Sequence, residues 1–524
     1  MKTINNIIIP IFLFVLFTGC DDFLTNNKYG EPSDDQFWKT SDDAQQAANG
    51  LYFFMGEDGV VGRGFMHYYN CSDDVITGRT QAGCDAMKNF IANYSRDVVN
   101  NWPIMYQLIK RCNDIILNVP AMDIDSDIKN KVLGQAYFFR AWAYFWLAPY
   151  YGDNKNNGGI PIVDEGLSIS EMDVPRCASV RENYAYCIND FKQAADLLPE
   201  LSQWSATDYG RPHKSACWAY IAKVALWDAQ YDASSYETVI TYCDLIINSS
   251  KHGLLDNFAD VFKIENNYSK EYIFSLSSSA VNGGSILPGV FLENKGWGQY
   301  NGWGYFTPTI ELVNAFDLDD IRLKATILQP GDMITFLGET KVYYSNESLS
   351  GMQFNKYMDP YKDADAIGKT INPNGDYPTT NLNIPLIRYA EILLMKAEAL
   401  IWQGRSGDAP LNEVRVRAGL KEKVNATKED LMNERRCELA GEFSHRMLDL
   451  LRWGVAKQYV ENELHGYKAK PKAGITIPQS KDDLEIDVIT VWNTRTFNPD
   501  VNHVFPIPTN ELSKGKNLKQ NSGY

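Results

Sequence analysis

Histidine is scarce in this chain, with six in 524 residues. His67, His213, His252, His445, His465 and His503 stand in no HExxH pair and at no other metal-ligand spacing. There is no GxSxG nucleophile elbow and no P-loop to cradle phosphates. Zinc hydrolysis, serine hydrolysis and nucleotide chemistry therefore lose their usual sequence signatures. Basic charge is also short: 50 Lys and Arg face 66 Asp and Glu, a net −16, which argues against a nucleic-acid partner. After the N-terminus no stretch approaches the roughly 20 apolar residues that a membrane span needs. No cysteine pair has CxxC spacing.

The N-terminus carries what the rest lacks. Lys2 precedes the apolar run IIIPIFLFVLF, and Thr18, Gly19 and Cys20 follow. One positive charge, a short apolar core interrupted by Pro10 and small residues before the break describe a secretory signal over residues 1–19. A cysteine in that place resembles a bacterial lipobox, with Phe17 departing from the commoner leucine. Cys20 is then the lipidated first residue of the mature chain, anchored to outer-membrane lipid. Asp21 and Asp22 resemble the surface-export signal of Bacteroidetes lipoproteins. Among the other cysteines, Cys112, Cys187, Cys217, Cys243 and Cys437 sit in helix-like apolar patterns and read as buried thiols. Cys71 with Cys84 is the one pair to test for a disulfide.

Most of the chain reads as helix. Val132, Ala136, Phe139, Ala143 and Trp146 recur at steps of four and three, and aromatics on the other faces predict a helix covered nearly all round. It should stop before Pro149 and Gly152. Further helices are expected near 97–118, 179–198, 213–230, 236–249, 384–403, 408–418 and 427–453. Ala136 and Ala143, Ala219 and Ala222, and Ala390 and Ala397 supply small residues for close helix approach. Several helix pairs span about 35–40 residues, a period reminiscent of tetratricopeptide units. Residues 252–383 and 455–524 read as irregular apart from a short strand in EYIFSLSSS.

Two segments invite chemistry. GWGQYNGWGY (296–305) sets four large rings among four glycines, too flexible for helix and too aromatic for an ordinary loop. NERRCELAGEFSHRMLDLLRWG (433–454) spaces Glu434, Glu438 and Glu442 by four, which would place them on one helical face beside Arg435, Arg446 and Arg452. Paired carboxylates suggest a glycosidase, but arginines among them hold carboxylates charged, so an ion-pair network locking helices is the stronger reading. DNKNNGGIPIVD (153–164) has a calcium-loop look, but Lys155 occupies a ligand position and opposes a cation.

The segment 433–454 resembles the ERRxELxxExxRxxDLxRWG signature of the SusD/RagB family of Bacteroidetes outer-membrane lipoproteins. The likeness continues through AYFFRAWAYFWLAPYYGDNKNNGGIPI (136–162), GRPHKSACWAYIAKVALW (210–227) and TPTIELVNAFDLDDIRL (307–323). It resumes in IPLIRYAEILLMKAEAL (384–400), LNEVRVRAGL (411–420), FPIPTNEL (505–512) and LKQNSGY (518–524). Such a resemblance implies a mainly α fold, an α-α superhelical scaffold of tetratricopeptide-like hairpins with long loops and a few short strands on the ligand side. A single domain over 20–524 would be helical to about residue 250 and loop-rich beyond.

The resemblance further implies a non-catalytic surface protein without cofactor or metal. It would capture a glycan, or alternatively a peptide, and pass it to a SusC-type TonB-dependent transporter. A pyranose stacks its C–H face on an aromatic ring, and amides, carboxylates and guanidiniums bind its hydroxyls. The expected stacking rings are Trp297, Tyr300, Trp303 and Tyr305, with Gln299 and Asn301 between them. Asp73, Asp74, Arg79, Asn93, Tyr94 and Trp102 are the expected partners from the early region. A core-facing arrangement of the four rings competes with this one, as does turn capping by Asp73 and Asp74.

Overall fold

The computed structural model describes residues 37–79, 85–91, 101–293, 300, 302–345, 347–372, 378–444 and 446–524. The leader and Cys20 lie outside the described residues. The helical scaffold begins with α1 (Ser41–Leu51), whose first turn is closed by a reciprocal Thr40–Asp43 capping box. A short helix α2 (Arg63–Tyr69) follows, then α3 (Trp102–Asn118), α4 (Ser126–Tyr151), α5 (Val180–Leu197), α6 (Lys214–Asp228) and α7 (Ser235–Asn248). Each helix from α3 to α7 packs on the next in the chain. The stack is extended from the far half of the sequence by α8 (Tyr389–Trp402), which lies against α7 and α6, and by α9 (Asp408–Arg417) against α8. The six alanines singled out for close approach are all fully buried.

α4 is buried almost all round, with Phe138, Phe139, Trp142 and Tyr144 inaccessible to solvent. Contrary to the expected stop, it runs through Pro149 to Tyr151. Proline removes the N–H that would have donated to Phe145 C=O, but only two helical residues follow it, so little helix depends on the lost bond. The end is then closed by Gly152 N–H donating to Ala148 C=O at 2.9 Å.

The strand expected in EYIFSLSSS is present and paired, and further paired strands appear that periodicity did not reveal. β1 (Val75–Thr77) pairs antiparallel with β3 (Phe306–Pro308), and β2 (Tyr272–Leu276) with β4 (Ile384–Arg388). IPLIR is thus a strand, not the start of the 384–403 helix, and α8 begins only at Tyr389. A long hairpin, β5 (Leu464–Pro471) with β6 (Leu484–Trp492), occupies the tail expected to be irregular. The predicted helix 427–453 is two helices, α10 (Lys428–Leu439) and α11 (Arg446–Arg452). They are separated at Gly441, whose φ of +74° suits glycine and whose Cβ, if present, would meet Phe354 Cε1 at 2.8 Å.

One hydrophobic cluster runs from Ala44 to Ile507 and draws on both halves of the chain. Cys71, Cys112, Cys187, Cys217, Cys243 and Cys437 are free buried thiols, and Cys177 is free and half-buried. The Cys71 thiol donates to Met87 C=O at 3.1 Å. Its suggested partner Cys84 lies outside the described residues. No described helix is long and apolar enough to cross a membrane.

The 153–164 loop is closed by the protein itself. Asp153 accepts from the backbone N–H of Lys155 and Asn156 and from His503 Nε2. Arg176 donates to Gly158 C=O, Gly159 C=O and Tyr151 C=O, and its Nη1 reaches Lys519 C=O at 3.1 Å and Asn521 Oδ1 at 2.6 Å. The QNSGY ending is therefore a strap across this loop.

Candidate functional site

The early segment and the aromatic segment, more than 200 residues apart, are zipped together by β1 and β3, with Thr77 opposite Phe306 and Val75 opposite Pro308. Gly78 N–H extends the ladder to Tyr305 C=O at 2.7 Å. Thr309 continues it at the other end, its N–H donating to Asp74 C=O and its hydroxyl to Asp73 C=O. The close approach requires glycine at position 78, where a Cβ would sit 2.4 Å from Gly304 O.

Trp297, Gln299 and Asn301 lie outside the described residues, as do Asn93 and Tyr94. The exit of the aromatic segment is held by a second ladder. Gly302 N–H donates to Glu293 C=O, Trp303 N–H to Gly289 C=O, Gly304 N–H to Leu292 C=O and Tyr305 N–H to Val290 C=O, at 2.8 to 3.1 Å. This fixes which ring faces which way. Tyr305 is buried against the core at 3% exposure. Tyr300 is buried in a separate small cluster, its ring 5.2 Å from that of Tyr361. Trp303, half-buried, is the one ring of the described part of the segment that reaches solvent.

The four-ring outward platform is therefore corrected: Tyr300 and Tyr305 are built into the floor. Trp102 is corrected likewise. It lies in the core between Tyr106 and Tyr151, with ring centroids 5.1 Å from each.

The surface around Trp303 has partners that sequence reasoning missed. Arg63, from the start of α2, places its guanidinium 4.4 Å from the Trp303 ring centroid and 5.1 Å from that of Tyr305. Its Nη1 donates to Tyr305 Oη at 3.1 Å and its Nε to Asp58 Oδ2 at 2.6 Å. Arg79, half-buried, lies 4.4 Å over the Tyr305 ring, so this expected partner does reach the aromatic segment. Nothing in the sequence marked Arg63, since it belongs to no motif and its position depends on the fold. A guanidinium stacked on a ring keeps its N–H edge available for hydroxyl oxygens. The arrangement sets a solvent-reaching indole beside two guanidiniums, of which Arg63 already spends Nε and Nη2 on Asp58 and one Nη1 hydrogen on Tyr305.

Asp73 and Asp74 have a different role from the one expected. Both are buried and paired: Arg446 Nε donates to Asp73 Oδ1 at 3.0 Å, and Arg436 reaches Asp73 Oδ2 at 2.9 Å and Asp74 Oδ1 at 2.6 Å. Burial works to raise Asp73, but Arg436 and Arg446 overcome it and hold the carboxyl at about 2. Burial prevails for Asp74 despite Arg436 and, with the Asp73 charge beside it, pushes that carboxyl up. These side chains clamp the early segment to α10 and α11, and both carboxylates are buried.

Glu434 and Glu438 lie on α10, while Glu442 falls beyond its end, so the three do not share a helix. All three meet arginine or lysine below the surface. Glu438 accepts from Arg388 Nη1 at 2.6 Å and Arg322 Nη1 at 2.9 Å, and also from Arg417. Glu434 takes Arg322 and Arg415, and Glu442 takes Arg388 and Lys356. Asp320 and Glu271 complete the group. A second buried group joins Arg435 and Arg452 to Asp449, Glu391 and Glu398, with Lys223 on Glu391. Every carboxylate here has a cation against it, which is the wiring of a clamp between elements.

Comparison with known proteins agrees with this architecture. The sequence profile described as "SusD family" matches residues 270–524, and one described as "Starch-binding associating with outer membrane" matches residues 46–226. "SusD-like protein P2" of Formosa agariphila is 27% identical, covering 98% of each chain. The crystal structure of a SusD-like protein from Bacteroides fragilis superposes with a TM-score of 0.75 at 24% identity, over 94% of this chain and 99% of that one. Surface glycan-binding protein A from Bacteroides thetaiotaomicron, solved in complex with laminarihexaose, gives 0.70 at 21% identity, over 92% and 99%. With two profiles tiling it and its fold shared along nearly its whole length, this chain belongs to the SusD family.

Proposed function

We propose that this protein is a surface lipoprotein, anchored in the outer membrane through Cys20, that binds a glycan and passes it to a SusC-type TonB-dependent transporter. The observation that carries the reading is the Trp303 face beside the stacked Arg63 and Tyr305, at the exit of the ring-rich segment. A hexose ring lying on Trp303 buries C–H groups against the indole while Arg63 and Arg79 donate to its hydroxyls. The complex of a structural relative with laminarihexaose supports the ligand class, and the outer-membrane description of the matching profile supports the location.

The protein acts by binding alone. Its most glycosidase-like carboxylates, Glu434, Glu438 and Glu442, are each enclosed by arginine or lysine. Burial works to raise Glu438 and Glu442, but Arg388 and the other cations around them overcome it and hold both below the usual carboxylate range. A glycosidase needs one of its pair protonated and both facing the scissile bond.

Isothermal titration of the chain lacking residues 1–20 against neutral oligosaccharides and peptides tests this. Replacing Trp297 and Trp303 together by alanine should weaken glycan binding by about tenfold or more, since each stacking ring contributes about 0.5–1.5 kcal/mol beyond its buried area. Unchanged affinity in the double variant refutes the site, and binding to peptides alone refutes the ligand class.

A further inference from the structure

A second built surface lies away from Trp303. An open groove of about 660 Å³ runs between α1 and the α5–α6 loop on one side and the end of β2 on the other. It joins a smaller groove of about 300 Å³, the two sharing Asn49, Asp208 and Arg211. The larger volume falls within the roughly 300–1,000 Å³ typical of ligand clefts. Neither groove includes Arg63, Arg79, Trp303 or Tyr305.

Two aromatic rings stand in the open on this groove, Phe53 at 68% and Tyr209 at 38% exposure. Phe53 follows Tyr52, whose ring lies 5.4 Å from the Arg211 guanidinium and whose hydroxyl donates to Gln135. Tyr209 is braced from behind by Tyr268, with ring centroids 5.9 Å apart. Tyr268 holds a φ of +61°, a strained conformation for a bulky residue, and its hydroxyl donates to Ser277 Oγ at 2.6 Å. Gly210 lets this loop press onto the β2 end, where a Cβ would lie 2.1 Å from Ser277 Oγ.

The polar centre is equally fixed. Arg211 donates to Asp208 Oδ1 at 2.7 Å, Gln135 Oε1 at 2.9 Å and Asn49 Oδ1 at 2.9 Å. Its charge is met by Asp208, and Glu57 leaves the larger groove slightly negative. Asn49 gives its oxygen to Arg211, which leaves its amide N–H groups as donors, and the Asn282 amide is exposed on the far rim.

We propose that this groove is a second carbohydrate site, binding a neutral oligosaccharide by stacking on Phe53 and Tyr209 with hydroxyls held by Asn49, Asp208 and Asn282. The open rings fit the C–H faces of pyranoses, the orientable amides fit their hydroxyls, and the neutralised arginine disfavours an anionic chain. The inference rests on the glycan-binding reading above and adds a second contact along one polysaccharide chain. Such a contact raises affinity for long chains through effective concentration.

The test is calorimetry with laminarihexaose, maltohexaose, cellohexaose, xylohexaose and mannohexaose, with affinity electrophoresis in the matching polysaccharides. The proteins are wild type, W297A/W303A and F53A/Y209A. Phe53 and Tyr209 are exposed, so their removal should leave the thermal midpoint unchanged. The expected result is a hexasaccharide binding event that persists in W297A/W303A and is lost in F53A/Y209A, with retardation in polysaccharide reduced about tenfold by either variant. A single event abolished by W297A/W303A and indifferent to F53A/Y209A overturns the groove and leaves the primary reading standing. No binding to any of these sugars by the wild type overturns both. Peptide binding that alone depends on Phe53 and Tyr209 overturns the groove as a sugar site.

Discussion

Replacing Glu438 by glutamine changes few atoms and removes one charge from the most enclosed part of the molecule. Five buried carboxylates (Glu271, Asp320, Glu434, Glu438, Glu442) meet five cations (Arg322, Lys356, Arg388, Arg415, Arg417) in this group, so its charges balance. The substitution leaves one cation unmatched. It also points an amide N–H toward guanidinium N–H groups that had an acceptor. Breaking a buried pair from one side costs about 3–5 kcal/mol, because the other charge stays buried and uncompensated.

With a urea slope of about 3 kcal/mol/M or steeper for a chain this long, the unfolding midpoint should fall by up to about 1–2 M. Acidity gives an independent check. Burial works to raise the Glu438 carboxyl, but Arg417, Arg388 and Arg322 overcome it and hold it well below the usual range. A depressed carboxylate contributes its stability above the unfolded value of about 4.3 and loses it as pH falls toward the folded value. Wild type should therefore lose stability steeply below about pH 4, and E438Q less steeply. Tryptophan fluorescence in a urea series at pH 7 and at several lower values measures both. A variant with the wild-type midpoint and pH slope would show that Glu438 holds nothing together. Oligosaccharide turnover by wild type that disappears in a folded E438Q would instead make it catalytic.

Gly441→Ala should destabilise the protein by about 1–3 kcal/mol, because the left-handed backbone is strained and a Cβ meets Phe354. Gly454→Ala has the same φ of +74° with nothing within 4 Å, so the difference in thermal midpoint isolates the Phe354 contact. Asn521→Ala removes two bonds to Tyr151 C=O and Phe505 C=O and one of the acceptors of Arg176. It should release the C-terminal strap to limited proteolysis well before global unfolding, and an unchanged cleavage pattern would show that the strap is held elsewhere.

The long helices were legible because their apolar steps are local and repeated. α3, α5, α6, α7 and α9 fall within a few residues of their predicted spans. What was not legible depends on distant partners. IPLIR has the same apolar character as the helix it precedes, and only pairing with Tyr272–Leu276 makes it a strand. Asp73 meets Arg446 across 373 positions, which no spacing rule reaches. At the candidate site, composition marked the aromatic segment but not the direction of its rings. That direction is set by a backbone ladder to Gly289, Val290, Leu292 and Glu293, in a stretch with no distinguishing motif. Arg63 was invisible for the same reason.

The clamp and the candidate site are parts of one construction. Asp73 and Asp74 use their side chains on Arg436 and Arg446 and their backbone carbonyls on Thr309. The residues immediately after them form β1, which pairs with the strand leaving Tyr305. The ion pairs at α10 and α11 therefore set the height at which Tyr305 sits and, through it, where Arg63 and Arg79 lie. A ligand surface whose floor is pinned by buried charge loses little freedom when a sugar binds, which favours affinity from a small contact. If the Trp303 face binds a sugar as proposed, the charged motif that identifies the family serves that binding at a distance, by holding the early segment against the aromatic one.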